Sequence, residues 1–271
     1  MGKTAVVYLS RHGNPARLTQ GFLASLARYR PGADFDLVFL LKGYGPGQGD
    51  PVLEQHRGAL GREVIELRMP DDGFSIDADL FAARALAGYE RLLFLTSFSL
   101  ILADDWLAHY LAGFASAPDC GAIGATGSYE AIGGGAFPNP HLRTNAFMIA
   151  RDLLLDIDPG PLTTKAGNAQ FEAGPRGLTA QLRERGLAPL VVDRWGAVWP
   201  QAQWRESRTF RAGDQEGLLI ADNRTHDYQA GPHKRRRKLA RLAWGDDRDV
   251  PRLGTLERWR REWAWNHPPK P

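Results

Sequence analysis

Short apolar runs alternate with helical spacings along most of the chain. TAVVYL, from Thr4, is apolar and β-branched, which predicts a strand; Leu18, Phe22 and Leu26 then recur at i, i+4 and i+8, with Asn14 and Pro15 as the start of that helix. DLVFLL, from Asp36, is a second strand, and the glycine-rich KGYGPGQGD leads from it into a short helix over 51–60. EVIELRM is a third strand. Asp77 is placed to cap a helix carrying Leu80, Phe81, Ala83 and Leu86. RLLFLT, from Arg91, is a fourth strand, and Asp104 or Asp105 caps a helix with Trp106, Leu107, Tyr110, Leu111 and Phe114 on one face. Further on, CGAIGATGSYEAIGGG holds a strand and then a mobile loop, and RTNAFMIA and APLVVD are strands. A helix over 177–185, ended by Gly186, lies between the last two.

Strands that are apolar throughout, separated by helices, predict an α/β fold with a mostly parallel central sheet and helices on both faces. Ligands on such sheets sit at the carboxyl ends of the strands. That rule singles out SRHGNP, KGYGPGQGD, PDDGFSIDAD and TSFS. The glycines at 43, 45, 47 and 49 do not complete a dinucleotide fingerprint, and no phosphate-cradling G-x-x-x-x-G-K-[ST] occurs, so both nucleotide-binding classes lose support.

Composition changes this picture in two places. At 43% hydrophobic and 24% charged, the 271 residues suit a globular protein, and the single cysteine, Cys120, points to a reducing compartment. No secretory leader or membrane span is expected, so a cytoplasmic location is. The formal net charge of +3 is unevenly spread, however. Residues 233–271 hold 12 Lys/Arg against 5 Asp/Glu, and residues 1–232 hold 22 against 26. Two units are therefore expected: a catalytic or binding domain over 1–232 and a basic, Trp-rich helical extension over 233–271. Within the extension, Leu256, Trp259 and Trp263 share one helical face among arginines. A basic amphipathic helix of that kind suits an anionic membrane surface. Nucleic acid is the rival partner and is not expected, because no recognised nucleic-acid module accompanies the basic run.

The stretch from Met69 to Leu107 is similar to the family-2 and related GT-A glycosyltransferases. Asp72-Gly73-Phe74, the alanines from Ala82 to Ala87, Phe94-Leu95 and Asp105-Trp106-Leu107 stand where those enzymes have a glycine turn, an alanine-rich helix, a strand ending in an aspartate motif, and the opening of the next helix. KGYG and RTNAFMIARDLL extend the likeness over roughly residues 4–228. The departure is at the aspartate motif. Its carboxylates hold a divalent cation, Mn or Mg, against the donor's diphosphate in that family; here the residues are Thr96-Ser97-Phe98-Ser99. Serine hydroxyls carry no charge to do that work. Asp77 and Asp79 spell D-x-D, but ahead of a helix capping is the simpler reading. The preferred reading is that cationic side chains replace the metal, from Arg11, His12, His141 and Arg143.

The resemblance implies a nucleotide-sugar donor, a saccharide or lipid-linked acceptor and a role in bacterial surface polysaccharide synthesis. Arg11, His12, Asp72, Asp77, Ser97 and Ser99 are the expected donor-binding residues. Asn139, His141, Arg143 and Asn145, with Asp222 and His226 from the block Thr209 to Tyr228, are expected to meet donor or acceptor. Glu172 in AQFEAGPRGL matches the family's acidic motif at the start of a late helix, with extra residues before Leu178, and is the candidate base. Trp195, Trp199 and Trp204 are candidates for a sugar-stacking wall or for core anchors. The alternative reading is a catalytically degenerate module that binds saccharide or nucleotide. A third reading, a nucleotidyltransferase on a related sheet, is weaker, because this chain lacks the glycine-rich, basic N-terminal loop expected there.

Overall fold

The computed structural model describes residues 2–271. The chain runs β1 (Thr4–Arg11), α1 (Arg17–Arg28), β2 (Asp36–Lys42), α2 (Pro51–His56), a 3-10 turn (Arg57–Leu60), β3 (Val64–Met69), α3 (Ser75–Ala85), β4 (Arg91–Leu95), β5 (Leu100–Ile101) and α4 (Trp106–Ser116). It continues through β6 (Cys120–Gly124), β7 (Gly127–Ser128), β8 (His141–Leu142), β9 (Ala146–Ala150), α5 (Arg151–Asp156), α6 (Lys165–Ala173), α7 (Leu178–Glu184), β10 (Ala188–Val192) and β11 (Val198–Pro200). β12 (Ile220–Ala221), α8 (Asn223–Ala230), α9 (His233–Trp244) and α10 (Thr255–Asn266) complete it.

Eight strands form one sheet in the order β11-β10-β6-β9-β4-β1-β2-β3. β1 pairs in parallel with β2 and β4, β2 with β3, and β6 with β10. β9 enters antiparallel between β4 and β6, and β11 closes one edge antiparallel. The alternation of side chains explains why the strands read as apolar throughout. Val7, Leu40, Leu92, Phe94 and Phe147 point to one face, under Ile76 and Leu80 of α3, Phe171 of α6 and Leu182 of α7. Val6, Tyr8, Phe39, Leu93 and Met148 point to the other, under Phe22 of α1 and Trp106 and Tyr110 of α4.

Several helix starts differ from expectation. α1 begins after Ala16 with no side-chain cap from Asn14. Phe74, not Asp77, precedes α3, which leaves Asp77 in the first turn without a capping bond. Asp105 precedes α4 in the left-handed region at φ 56° and does not cap it, while Asp104 accepts from the Arg30 amide at 2.8 Å. The glycine-rich segment after β7 is fastened rather than free-standing: Asn139 donates to the carbonyls of Ile132 at 3.0 Å and Ala173 at 2.8 Å.

The basic C-terminal segment divides in two. α9 sends Ala243 and Trp244 into the core layer that also holds Trp204 and Phe210, and Trp244 Nε1 donates to the Phe210 carbonyl at 2.7 Å. The α9 side chain of Arg236 is fully buried, donating to the Pro251 carbonyl and to Asp214. α10 buries no residue fully; it packs on α8, and its Arg261 grips Asp214, in the segment before β12, with two bonds of 2.8 Å.

Candidate functional site

The rim formed by the carboxyl ends of β1, β2 and β4 and the amino end of the reversed β9 carries three adjoining depressions. The central one, about 370 Å³, collects residues from seven parts of the chain. β1 supplies Arg11, β2 supplies Lys42, and the turn into α3 supplies Gly73 and Phe74. The end of β4 brings Thr96 and Ser97; the approach to β9 brings Arg143 and Asn145. Glu172 of α6 and Asp222 and Arg224 at the start of α8 close it. A second cleft of about 360 Å³ shares Arg11, Asn14 and Ser97 with the first and adds His12, Tyr44 and Asp50. On the opposite side, a cavity of about 700 Å³ shares Glu172 and adds Asn139, His141 and Arg183. Glu172 thus stands between the central cleft and the large cavity.

Most charges here are already matched. Arg11 meets Asp71 through two bonds of 2.7 and 2.8 Å. Arg143, buried beside the Phe210 ring, donates to Asp222 at 2.8 Å. Burial pushes the Asp222 carboxyl up, but Arg143 and the amide and hydroxyl of Thr225 outweigh it and leave it below the usual carboxylate range. Asp222 also accepts from the Arg224 and Thr225 amides, so one carboxylate caps α8 and anchors Arg143. Asp50 does similar work in the second cleft, accepting from Ser10 and Thr19 at 2.6 Å each and from the Val52 and Leu53 amides.

Two cations of the central cleft are not matched. Lys42 is 3% exposed, and among the described residues neither it nor Arg224 has an ion-pair partner. Lys42 Nζ donates to the Gly73 carbonyl at 2.7 Å. Gly73 has φ 69°, and a Cβ there would lie 2.5 Å from an Asp77 carboxylate oxygen, so the turn that presents this carbonyl favours glycine. Burial pushes the Lys42 pKa down, against the pull of Asp71, Asp77 and Asp72. Across the same cleft, Asn145 Oδ1 accepts from Thr126 while its buried Nδ2 has no partner.

Of the residues expected from sequence, Arg11, Ser97, Arg143, Asn145, Asp222 and Glu172 line the central cleft. Ser97 Oγ is spent on the Leu9 carbonyl at 2.6 Å. Ser99 is fully buried behind the cleft, 3.4 Å from the Asn145 carbonyl. His12 lies in the second cleft, edge-on to Tyr44. Asn139 and His141 line the large cavity instead. Burial holds the His141 pKa below its ordinary value, so the ring is neutral at pH 7, and with Nδ1 donating to the Asn139 carbonyl at 2.8 Å its Nε2 is left as an acceptor. Asp72 and Asp77 line none of the three depressions, whose wall at this point is Gly73 and Phe74. His226 is stacked on Trp265 at 4.3 Å and bonded to Glu262 at 3.0 Å, packed against α10 instead of the rim. Glu172 is the second-last residue of α6, not the first of a helix, so a helix N-terminus does not account for it. Trp204 is a core anchor, fully buried against the β7 backbone, whereas Trp195 is exposed. Lys42, Asn14 and Arg224 were not among the site residues expected from sequence. Lys42 had a signal, as the first polar residue after a buried parallel strand, but it merged into the glycine run that follows.

A hard divalent cation does not fit the donors at the end of β4. Ser97 Oγ is committed to a backbone carbonyl, Ser99 is buried behind the cleft, and the carboxylates of Asp71 and Asp222 are matched by arginines. Asp79, the second half of D-x-D, is buried in α3 with no hydrogen-bond partner. Among the described residues no group of three or more His, Cys, Asp or Glu side chains is placed to hold a metal.

No family model matches the chain, and no curated protein matches it. Solved structures do. The fold is that of the GT-A nucleotide-diphospho-sugar transferases. A mannosyltransferase from Pyrobaculum calidifontis, solved with GDP-Man and Mn2+, superposes with a TM-score of 0.51 at 14% identity, over 76% of this chain and 60% of its own. S. aureus TarS gives 0.43 at 18% identity over 61% of this chain, and the galactosyltransferase LgtC, solved with donor and acceptor sugar analogues, gives 0.45 at 12% over 66%. The chain spans 32% of TarS and 70% of LgtC.

Proposed function

We propose that the protein is a glycosyltransferase that moves a sugar from a nucleotide-sugar donor to a hydroxyl of a saccharide acceptor. The observation that carries this reading is the position of Glu172 between a basic cleft and a larger polar cavity. Donor and acceptor would then meet at one carboxylate. The nucleoside end of the donor belongs in the second cleft, past Arg11, Asn14 and Ser97, and its diphosphate in the central one. The acceptor belongs in the cavity with Asn139, His141 and Arg183. Glu172 takes the acceptor hydroxyl proton as that oxygen bonds to the anomeric carbon; the bond from that carbon to the phosphate oxygen breaks, and the nucleoside diphosphate leaves with the electron pair. His141 Nε2 is an acceptor for a second acceptor hydroxyl. Asp222 acts through Arg143, holding the guanidinium against the cleft wall.

Glu172→Gln keeps the shape and removes the proton acceptor. Donor hydrolysis and transfer, measured with a panel of nucleotide sugars, are expected to fall about 10²- to 10⁴-fold with donor affinity unchanged. An unaltered turnover rules Glu172 out as the base. A ligand-dependent rise in melting temperature with no nucleotide release by the native chain identifies a binding module instead.

The setting we infer is bacterial surface polysaccharide assembly, by a cytoplasmic enzyme held at an anionic membrane surface and acting on a lipid-linked acceptor. Two features support it. Leu256, Trp259 and Trp263 of α10 are 60%, 61% and 51% exposed on one helical face. Lys234, Arg235, Lys238 and Arg241 of α9 line a basic groove with Leu242. No described helix is long and apolar enough to cross a membrane.

A further inference from the structure

We propose that Lys42, with Arg224 and Asn145, is the counter-charge for the donor's diphosphate in the central cleft, where the divalent cation does not fit. The inference rests on the nucleotide-sugar reading and goes further, by naming which groups meet the leaving phosphates and by dispensing with the metal.

The charge balance of the rim selects these residues. The cations that sequence pointed to are placed or committed elsewhere: Arg11 to Asp71, Arg143 to Asp222, His12 in the second cleft, and His141 neutral in the neighbouring cavity. Lys42 and Arg224 are the cations of the central cleft that have no carboxylate within ion-pair distance among the described residues. A buried ammonium is costly unless an anion and hydrogen bonds compensate it. Lys42 has one bond, to the Gly73 carbonyl, and so keeps two N–H groups for a ligand. The buried Nδ2 of Asn145 is a further unpartnered donor in the same cleft. Two buried donor groups short of partners, on Lys42 and Asn145, and the exposed guanidinium of Arg224 line one cleft of about 370 Å³ and call for an anion with several acceptor oxygens; a diphosphate is one.

Titration calorimetry of the full chain with UDP, GDP and CDP, in EDTA and then with manganese, tests this. At least one diphosphate is expected to bind in EDTA. Lys42→Met is expected to weaken that diphosphate about ten- to hundredfold while leaving the matching nucleoside unchanged. The unliganded variant should melt no lower than the native chain, because an unmatched buried charge has gone. Lys42→Arg keeps the charge and should bind the diphosphate better than Lys42→Met does. Equal diphosphate affinity for Lys42→Met and the native chain overturns the assignment, as does an equal loss of diphosphate and nucleoside. Binding only after manganese is added overturns the metal-free arrangement while the donor reading stands. No binding of any of the three nucleotides under either condition removes the donor reading, and this proposal with it.

Discussion

Asp79 is a carboxyl that α3 buries without a hydrogen-bond partner. Desolvation drives its pKa well above the usual carboxylate range. The sign of the effect on stability follows. Below pH about 4 both folded and unfolded forms are protonated and the group is neutral in the balance. As pH rises, the unfolded chain ionises first, so folding loses stability until the folded carboxyl ionises too. Asp79→Asn removes that penalty. Thermal melting should show a gain of about 1–3 kcal/mol at pH 7 that shrinks towards pH 4; a loss at pH 7 contradicts the burial of a free carboxyl. The same spelling, D-x-D, is what a metal site would have offered a reader of the sequence. Period decides between them: two residues apart on a helix point in different directions, and here Asp79 goes into the protein while Asp77 stays near Gly73 at the surface.

Among the elements, α9 matters most for how the C-terminal segment is understood. Its sequence, HKRRRKLARLAW, reads as basic, yet Ala240, Ala243 and Trp244 are buried and the fully buried Arg236 lies over the Tyr228 ring. The last turn of the helix packs into the core cluster that also holds Trp204 and Phe210. Trp244→Ala should therefore cost about 3–5 kcal/mol, seen as a fall in melting temperature on the order of 10 °C. A shift of a degree or less is the result expected of a detached tail. β9 is the other element whose place was hidden. Its composition marks a strand, and nothing local marks its direction. Running antiparallel between β4 and β6 brings its preceding residues, Arg143 to Asn145, to the same rim as Arg11 and Lys42.

At the scale of the whole molecule the question is what the exposed face of α10 meets. Cutting the chain after residue 232 would also strip Ala243 and Trp244 from the core, so surface substitution is the cleaner test. Leu256→Ser, Trp259→Ser and Trp263→Ser together alter side chains that are at least half exposed and leave the fold intact. Flotation with vesicles containing anionic phosphatidylserine should carry the native chain upward, and the triple variant should stay in the dense fraction. Equal flotation removes α10 as the contact. High salt should weaken the native interaction, since the α9 groove contributes charge as well as shape.

The apolar runs and their spacing determined the α/β architecture, because a strand buried on both faces must be apolar at every position and a helix must repeat at 3.6. The rule that ligands gather at the carboxyl ends of parallel strands follows from that architecture, so the segments carrying Arg11, Lys42 and Ser97 were legible, whereas Arg143 and Asp222 entered through the family resemblance. Which charges are matched was not legible. Arg11 and Asp71 are 60 residues apart, and Arg143 and Asp222 are 79 apart. Pairing at such distances exists only once β1 and β3 share a sheet and the start of α8 is docked beside the approach to β9. The tertiary structure alone decided that Lys42 and Arg224 remain unmatched in the central cleft, that Glu172 ends a helix between two cavities, and that half of a basic tail belongs to the core.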